Sequence, residues 1–200
     1  MDTKTERQHT DKQLVDSILG GDLHAFKLLI SETENLVAHL AFKMIPVAAD
    51  RKDIAQEVYL KVYKSLPKFR FQSKLSTWIG QITYNTCLHY LEKKRPVLLE
   101  SFFEDTDISI DNLANAGEPA ENETESRLLA KELNETMNQA VQQLPAMQQT
   151  LIGLYYHQEL SLSEISGITN LSEGSLKSHL FRARQQLKHI LLKIQKREGI

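Results

Sequence analysis

An acidic segment divides this 200-residue chain into two basic parts. Residues 96–126 contain nine Asp or Glu and no Lys or Arg, whereas residues 1–95 carry a net charge of +4 and residues 127–200 one of +3. The segment contains Gly117 and Pro119 and shows no sustained helical period, which is typical of a linker. The chain is therefore expected to fold as two units joined by a flexible, acidic connection.

Both basic parts are predicted to be helical. Apolar residues recur at helical spacing in each part, and the whole chain has only eight Gly and five Pro. Few helix breakers together with a 3.6-residue apolar period predict an all-α protein. Asp50 or Asp53 is expected to cap the helix that carries Val58, and Ser73 or Ser76 the helix that follows.

The C-terminal part carries a helix–turn–helix pattern. Ser161 is followed three residues later by Glu164, which is the form of a capping box, and the short helix that it begins is expected to end near Thr169. Residues 170–172 then form a turn, and Ser172 is expected to cap a long helix. Two helices joined by so short a turn predict DNA binding.

One side of the last helix is cationic. From Gly174 to Arg197 there are seven Lys or Arg and no acid, so this helix favours DNA phosphates. Leu176 and Leu180 mark the apolar side, which is expected to pack on the preceding helices. Ser178 and Arg182 lie one turn apart near the helix start, where an inserted helix contacts base edges. A solvated basic helix end is the alternative.

A helix predicted to end near Lys94 carries a face that suits single-stranded DNA. Trp78, Gln81 and Asn85 share this face, where an indole can stack on bases and an amide can hydrogen-bond to their edges. The preceding loop, Phe69–Lys74, is the best candidate for a pocket that holds an unstacked base. The aromatic side chains could instead belong to the core.

The segment Ser172–Arg184 resembles the promoter-reading helix of bacterial sigma factors. Leu144–Pro145 and the stretch 160–165 are similar to the rest of the same sigma-four domain, and the resemblance covers about residues 139–187. His179 stands where the family usually has Arg, which affects one phosphate contact and not the expected fold. The resemblance implies contacts to the duplex promoter element near −35 from Lys177, Ser178, His179, Phe181, Arg182 and Arg184.

The first part resembles the sigma-two domain of the same proteins. Asp53–Tyr63 is similar to the helix that binds RNA polymerase, and the stretch from Phe69 to Ile79, with Asn85, matches the segment that opens the promoter. The resemblance implies contacts to core polymerase from Asp53, Gln56, Glu57 and Leu60. It implies contacts to the single-stranded −10 element from Phe69, Phe71, Ser73, Lys74, Trp78 and Asn85.

With both domains in this order and no room for a middle domain, the chain resembles the extracytoplasmic-function (ECF) class of the sigma-70 family. The implied organisation is a sigma-two domain at 10–95, an acidic linker at 96–126 and a sigma-four helix–turn–helix domain at 127–200. The implied partners are core RNA polymerase and promoter DNA, and the sequence leaves open whether an anti-sigma factor binds. Such a protein directs core polymerase to specific promoters and helps to open the −10 element.

Cellular location follows from what the sequence does not contain. No apolar run is long enough for a transmembrane helix, and the polar start has no signal-peptide pattern. A single cysteine, Cys87, forms no internal disulfide and suits a reducing compartment. We expect a cytoplasmic protein without membrane insertion.

Two other functional classes compete with the sigma-factor interpretation. A helix–turn–helix regulator that acts without polymerase would need neither Trp78 and Asn85 nor the polymerase-binding helix on a separate domain. An enzyme would need a recognisable site, yet the chain has no Gly-rich phosphate loop, no His-Glu-x-x-His and no Gly-x-Ser-x-Gly. We therefore expect no enzymatic activity, no cofactor and no metal.

Overall fold

The computed structural model describes residues 3–94, 102–103 and 125–198, with side chains over 10–93, 102–103 and 133–194. Nearly all of the acidic segment therefore lies outside the described residues, and its flexibility stays a prediction. All regular structure in the described residues is helical, which confirms the all-α prediction. No helix within these ranges has both the length and the apolar character that crossing a membrane would need.

Four helices form what we call the N-terminal block. They are α1 (Thr3–Leu19), α2 (Leu23–Met44), α3 (Ala48–Ser65) and α4 (Leu75–Lys94), with a 3₁₀ turn at Leu66–Lys68. The core side chains Leu29, Leu40, Val58, Val62 and Ile79 are almost completely buried. Cys87 also belongs to this core, and burial raises the pKa of its thiol to about 12.

Four further helices form the C-terminal block. They are α5 (Glu125–Gln142), α6 (Ala146–Ile152), which continues into a π-helical turn at Gly153–His157, α7 (Leu162–Thr169) and α8 (Glu173–Glu198). Among the side chains of α5 that the structure describes, Ala140 and Val141 are buried, whereas Leu133 and Met137 are exposed.

Two of the four predicted caps are correct and two are wrong. In the C-terminal block, Ser161 and Glu164 form the capping box and Ser172 Oγ accepts a hydrogen bond from the Ser175 amide at 3.1 Å. Neither Asp50 nor Asp53 caps α3, which begins after Val47 without a side-chain cap.

The Asp50 carboxylate instead accepts a hydrogen bond from the Tyr90 hydroxyl of α4. At the start of α4, the Leu75 amide donates to Asp11 Oδ2 of α1 at 3.0 Å. Ser73 Oγ donates to the Lys74 carbonyl and no cap from Ser76 is seen. Asp11, which is distant in sequence, thus supplies the capping oxygen that was expected from Ser73 or Ser76.

The two blocks pack directly on each other, α7 against α4 and α6 against α2. Two glycines permit this approach. A Cβ added at Gly80 would lie 2.9 Å from the Ile168 side chain, and one added at Gly153 would lie 1.8 Å from the His39 ring. Both distances are shorter than non-bonded carbon contacts allow. We call this surface the block interface.

Three polar contacts border the block interface. Lys74 Nζ lies 2.6 Å from Glu164 Oε1, and Gln81 Nε2 donates to Asn170 Oδ1 at 3.3 Å. His39 Nε2 lies 3.4 Å from the Thr150 carbonyl, which can only accept, so this nitrogen carries the proton. Each contact joins one block to the other.

Asp11 should contribute measurably to stability by capping α4. Its loss leaves the Leu75 amide without this acceptor, so Asp11→Ala should lower the free energy of unfolding by about 1 kcal/mol. Urea denaturation followed by circular dichroism measures the change. Asp16→Ala is the matched control, because Asp16 is exposed on the same helix. Equal losses in both variants would contradict the capping role.

Acidification should weaken the folded state through His39. Burial lowers its pKa from 6.5 to about 4, with Lys43 and His157 adding repulsion. The unfolded chain therefore binds a proton that the folded protein excludes. The contribution of neutral His39 to the free energy of unfolding is thus complete above pH 6.5 and is lost as pH falls toward 4. Between pH 7 and pH 5 the wild type should lose about 2 kcal/mol more than His39→Gln in urea denaturation. Parallel losses would rule out this role.

Candidate nucleic-acid and polymerase interfaces

Local hydrogen bonds shape the helix–turn–helix at the start of α7 and at the turn between α7 and α8. The Ser161 amide and hydroxyl donate to Glu164 Oε2, and the Glu164 amide donates back to Ser161 Oγ. Asn170 ends α7 in the left-handed conformation, with φ of 60°, which Asn tolerates better than most residues. Ser166 Oγ then donates to the Leu171 carbonyl at 2.7 Å. The angle between α7 and α8 is therefore fixed locally.

The apolar side of α8 packs as expected, and its cationic side faces outward. Leu176, Leu180 and Ala183 are buried. A shallow depression of about 440 Å³ is lined by Lys177, Ser178, Phe181, Arg182 and Arg184. Phe181 is 49% exposed, Arg182 is half-buried, and the others are exposed. Five of the six residues expected to contact duplex DNA thus share one surface.

His179, the sixth residue, is half-buried and does not line this depression. An aromatic pair that the sequence did not single out lies beside this depression. Tyr155 and Tyr156 meet edge to face with ring centroids 4.9 Å apart, and Arg184 Nη1 donates to the Tyr156 hydroxyl at 3.5 Å. Tyr155 lies in the π-helical turn that follows α6 and is 36% exposed.

An aromatic cluster supports the loop before α4. The Phe69 ring lies 4.7 Å from Phe71 and 5.0 Å from Trp78, measured between centroids. Phe69 is buried, whereas Phe71 and Trp78 are half-buried. Phe71 has a φ of 56°, which is uncommon for a bulky residue and marks local backbone strain. The cluster therefore combines a core anchor with two rings that keep part of their surface open.

Polar side chains follow this cluster along α4. Asn85 is exposed, and Ser73 and Lys74 are half-buried in the loop. Lys74 pairs with Glu164 of the C-terminal block. Burial alone would raise the pKa of Glu164, but its hydrogen bonds from Lys74 and Ser161 lower it below the ordinary value. The six residues expected at the −10 element thus lie on the loop and on α4, one of them in contact with the other block.

The outer face of α3 carries the side chains expected to meet polymerase. Asp53, Gln56, Glu57 and Leu60 are all exposed, and Leu60 is 61% exposed. The opposite face is buried through Ile54, Val58 and Val62, as the spacing predicts. A groove of about 350 Å³ separates α3 from α4 and is lined by Asp50, Asp53, Ile54, Glu57, Thr86, His89, Tyr90 and Lys93.

Two protein families match the chain in the order that the resemblance implies. The family described as Sigma-70 region 2 matches residues 29–97, and that described as Sigma-70, region 4 matches residues 135–187. The first range contains α3, the aromatic cluster and α4, and the second contains the helix–turn–helix. The surfaces described above thus fall within the matched ranges.

Curated relatives align over most of the chain. The RNA polymerase sigma-H factor of Pseudomonas aeruginosa is 30% identical over 185 residues, which are 90% of this chain and 93% of the relative. The ECF RNA polymerase sigma-E factor of Escherichia coli is 32% identical over 184 residues, again 90% of this chain and 93% of the relative.

Two solved structures share the fold. CnrH in complex with the cytosolic domain of CnrY superposes with a TM-score of 0.58 at 18% identity, covering 90% of this chain and 96% of that one. The sigma factor RpoE of Bartonella quintana, in complex with the anti-sigma factor NepR, also gives 0.58 at 19% identity, covering 83% and 96%.

Proposed function

The chain belongs to the ECF class of the sigma-70 family, and we propose which of its surfaces perform the work of such a factor. It is a sigma factor that binds core RNA polymerase and directs it to promoters. In our proposal α8 reads the −35 element as duplex, the loop before α4 and α4 itself hold the opened −10 strand, and α3 contacts the polymerase.

One observation carries the −35 assignment: the outward side of α8 is cationic within a helix–turn–helix whose geometry is fixed at both junctions. Arg182 lies two turns from the start of α8, where side chains of an inserted helix meet base edges. Lys177 and Arg184 flank it on the same depression and are suited to phosphates. Tyr156 supports Arg184 through its hydroxyl, so we add Tyr156 to this surface.

The −10 assignment is supported by the different burial of the three rings in the aromatic cluster. Phe69 anchors the loop in the core, which leaves Phe71 and Trp78 to stack on bases. Asn85 lies two turns beyond Trp78 and presents both a donor and an acceptor to a base edge. Ser73 and Lys74 lie between Phe71 and the start of α4, where they can bind the backbone of an extruded nucleotide.

The polymerase assignment is supported by the exposed acids of α3. Asp53 and Glu57 stand one turn apart beside exposed Gln56 and Leu60. A surface that combines charge with a large exposed apolar side chain is typical of a protein contact. Glu57 also pairs with Lys61 at 2.7 Å, an exposed pair that a partner can replace at little cost.

We further propose the domain boundaries 10–95 and 127–200 with the linker 96–126 between them, and action in the cytoplasm as a non-enzymatic initiation factor. By analogy with the Bartonella complex, we propose that an anti-sigma factor also binds this chain. The region 2 match counts against a helix–turn–helix regulator that acts without polymerase, because such a regulator needs no polymerase-binding helix.

Promoter-selective transcription tests the function as a whole. Purified protein is added to core RNA polymerase on fragmented genomic DNA of the source bacterium, and start sites are mapped. New start sites should share one pair of upstream elements and disappear without the protein. Start sites identical to those of core enzyme alone would overturn the proposal.

Arg182 should contribute to promoter discrimination. In the complex with core polymerase, Arg182→Ala should cost about 1–3 kcal/mol on the preferred −35 element, because a bidentate contact to a base edge is lost. Lys193→Ala is the control, since this exposed residue lies near the far end of α8. It should weaken all sequences about equally and reduce the salt dependence. Unchanged discrimination by Arg182→Ala would remove the assigned role.

Asn85 should act during strand opening. Asn85→Ala should reduce transcription from a duplex promoter about tenfold, as expected for one lost hydrogen bond of about 1.4 kcal/mol. A template with a pre-melted bubble should restore activity only where unpairing is the defect, and not where base recognition is lost. Asn134→Ala, at an exposed position of α5, is the control. Equal activity of Asn85→Ala and wild type on duplex, at matched core binding, would refute the role.

Asp53 and Glu57 should matter for assembly and not for folding. Reversing both charges to Lys should weaken binding to core polymerase at least tenfold, while exposed substitutions usually change stability by only about 0.5 kcal/mol. Competition binding measures the first quantity and urea denaturation the second. Glu32→Lys with Glu34→Lys, on the exposed face of α2, is the matched control. Undiminished affinity of the α3 variant would exclude this interface.

A further inference from the structure

The N-terminal helix reaches the base of the loop assigned to the opened −10 strand. Leu75 is the first residue of α4, and its amide is one of the N–H groups that a helix start leaves without a partner in the helix. Asp11 Oδ2 of α1 accepts this hydrogen bond at 3.0 Å. Leu75 is itself buried, and the contact is partly shielded from water. Loss of this carboxylate therefore leaves the amide without its acceptor.

The same contact holds the C-terminal end of the loop Phe69–Lys74. At the other end, the Phe69 amide donates to the Leu66 carbonyl at 3.0 Å. Between these two points Phe71 has a φ of 56°, a conformation that bulky residues keep only where the surrounding structure holds it. The geometry of the loop thus depends on both ends being fixed, and one of them is fixed by α1.

Trp78 lies in the first turn of α4, directly after this end of the loop. Its amide donates to the Lys74 carbonyl at 3.1 Å, and its ring centroid lies 5.0 Å from that of Phe69. A first turn without its cap frays, and fraying here moves the indole away from the aromatic cluster. Val15 and Ile18 of α1 are buried, so the helix that supplies the cap is itself anchored in the core.

We propose that Asp11 is a positioning residue for −10 recognition: its hydrogen bond to the Leu75 amide holds the loop and Trp78 in the geometry that receives an unstacked base. The carboxylate does not itself suit DNA, since it is half-buried and carries the same sign of charge as a phosphate. Residue 11 precedes the range 29–97 that matches Sigma-70 region 2, so a helix outside that range takes part in strand opening. The role of the loop rests on the proposed function, whereas the contact itself does not.

Trp78 is the only tryptophan of the chain, so its fluorescence reports directly on the start of α4. In the free full-length protein, acrylamide quenching should be about 1.5-fold stronger in Asp11→Ala than in wild type, because the frayed first turn exposes the indole. Asp11→Asn should match wild type, since its side-chain oxygen also accepts a hydrogen bond. Asp16→Ala, at an exposed position of the same helix, should match it too. Circular dichroism at the same temperature checks that all variants are equally folded.

Base recognition is measured in the complex with core polymerase. The probe is a single-stranded oligonucleotide with the −10 element of a mapped promoter, compared with copies in which one base at a time is replaced by an abasic site. At the position whose base enters the loop, wild type should bind the intact strand about tenfold more tightly, as expected for one stacked base. In Asp11→Ala this ratio should fall below about threefold, whereas Asp11→Asn and Asp16→Ala should retain it. The ratio does not depend on the fraction of active protein, so a loss of stability alone leaves it unchanged.

Unchanged quenching in Asp11→Ala would overturn the proposal, because the cap would not hold the first turn. An unchanged binding ratio in the same variant would overturn it too, because base recognition would not need the positioning. So would a defect of equal size in Asp11→Asn, since the neutral amide keeps the acceptor. If wild type showed no base dependence at any position, the −10 assignment of the proposed function would fail, whereas the quenching would still decide whether Asp11 holds the start of α4.

Discussion

The close packing of α7 on α4 is favoured by the absence of a side chain at position 80. Ile168 of α7 occupies the volume that a Cβ at Gly80 of α4 would need, so the two helices lie close together. Burying such an aliphatic side chain contributes about 1.5–3 kcal/mol. The position of α7 then determines where the turn at Asn170 lies and hence where α8 begins. Gly153 likewise leaves room for the His39 ring of α2. Two residues without a Cβ thus allow helices of the separate blocks to pack into one core.

Polar contacts between helices occur both within the N-terminal block and between the two blocks. Within the N-terminal block, Thr83 donates its hydroxyl to the Ile79 carbonyl of its own helix at 2.8 Å, whereas the Tyr90 hydroxyl and the Leu75 amide donate to carboxylates of neighbouring helices. Between the blocks, Lys74, Gln81 and His39 each depend on a group of the other block. Separation exposes these groups to water, which can satisfy them. Such a composition resembles an interface between partners that can part.

The sequence predicts what is decided locally and fails where distant residues decide. Ser161, Glu164 and Ser172 act within three residues of themselves, so the capping box and the start of α8 are correctly predicted. Asp50 fits the same rule, but its carboxylate accepts a hydrogen bond from the Tyr90 hydroxyl, 40 positions away. Asp11 caps α4 across 64 positions. Periodicity likewise predicts the buried faces of α3 and α8.

Glu164 contacts the two blocks through different carboxylate oxygens. Its Oε1 holds Lys74 of the N-terminal block, whereas its Oε2 holds the amide and hydroxyl of Ser161. Breaking the first contact leaves the second intact, so α7 keeps its N-terminal cap. The local hydrogen bonds that begin α7 thus do not depend on its contact with the N-terminal block, and the geometry of this helix start is a property of the C-terminal block alone.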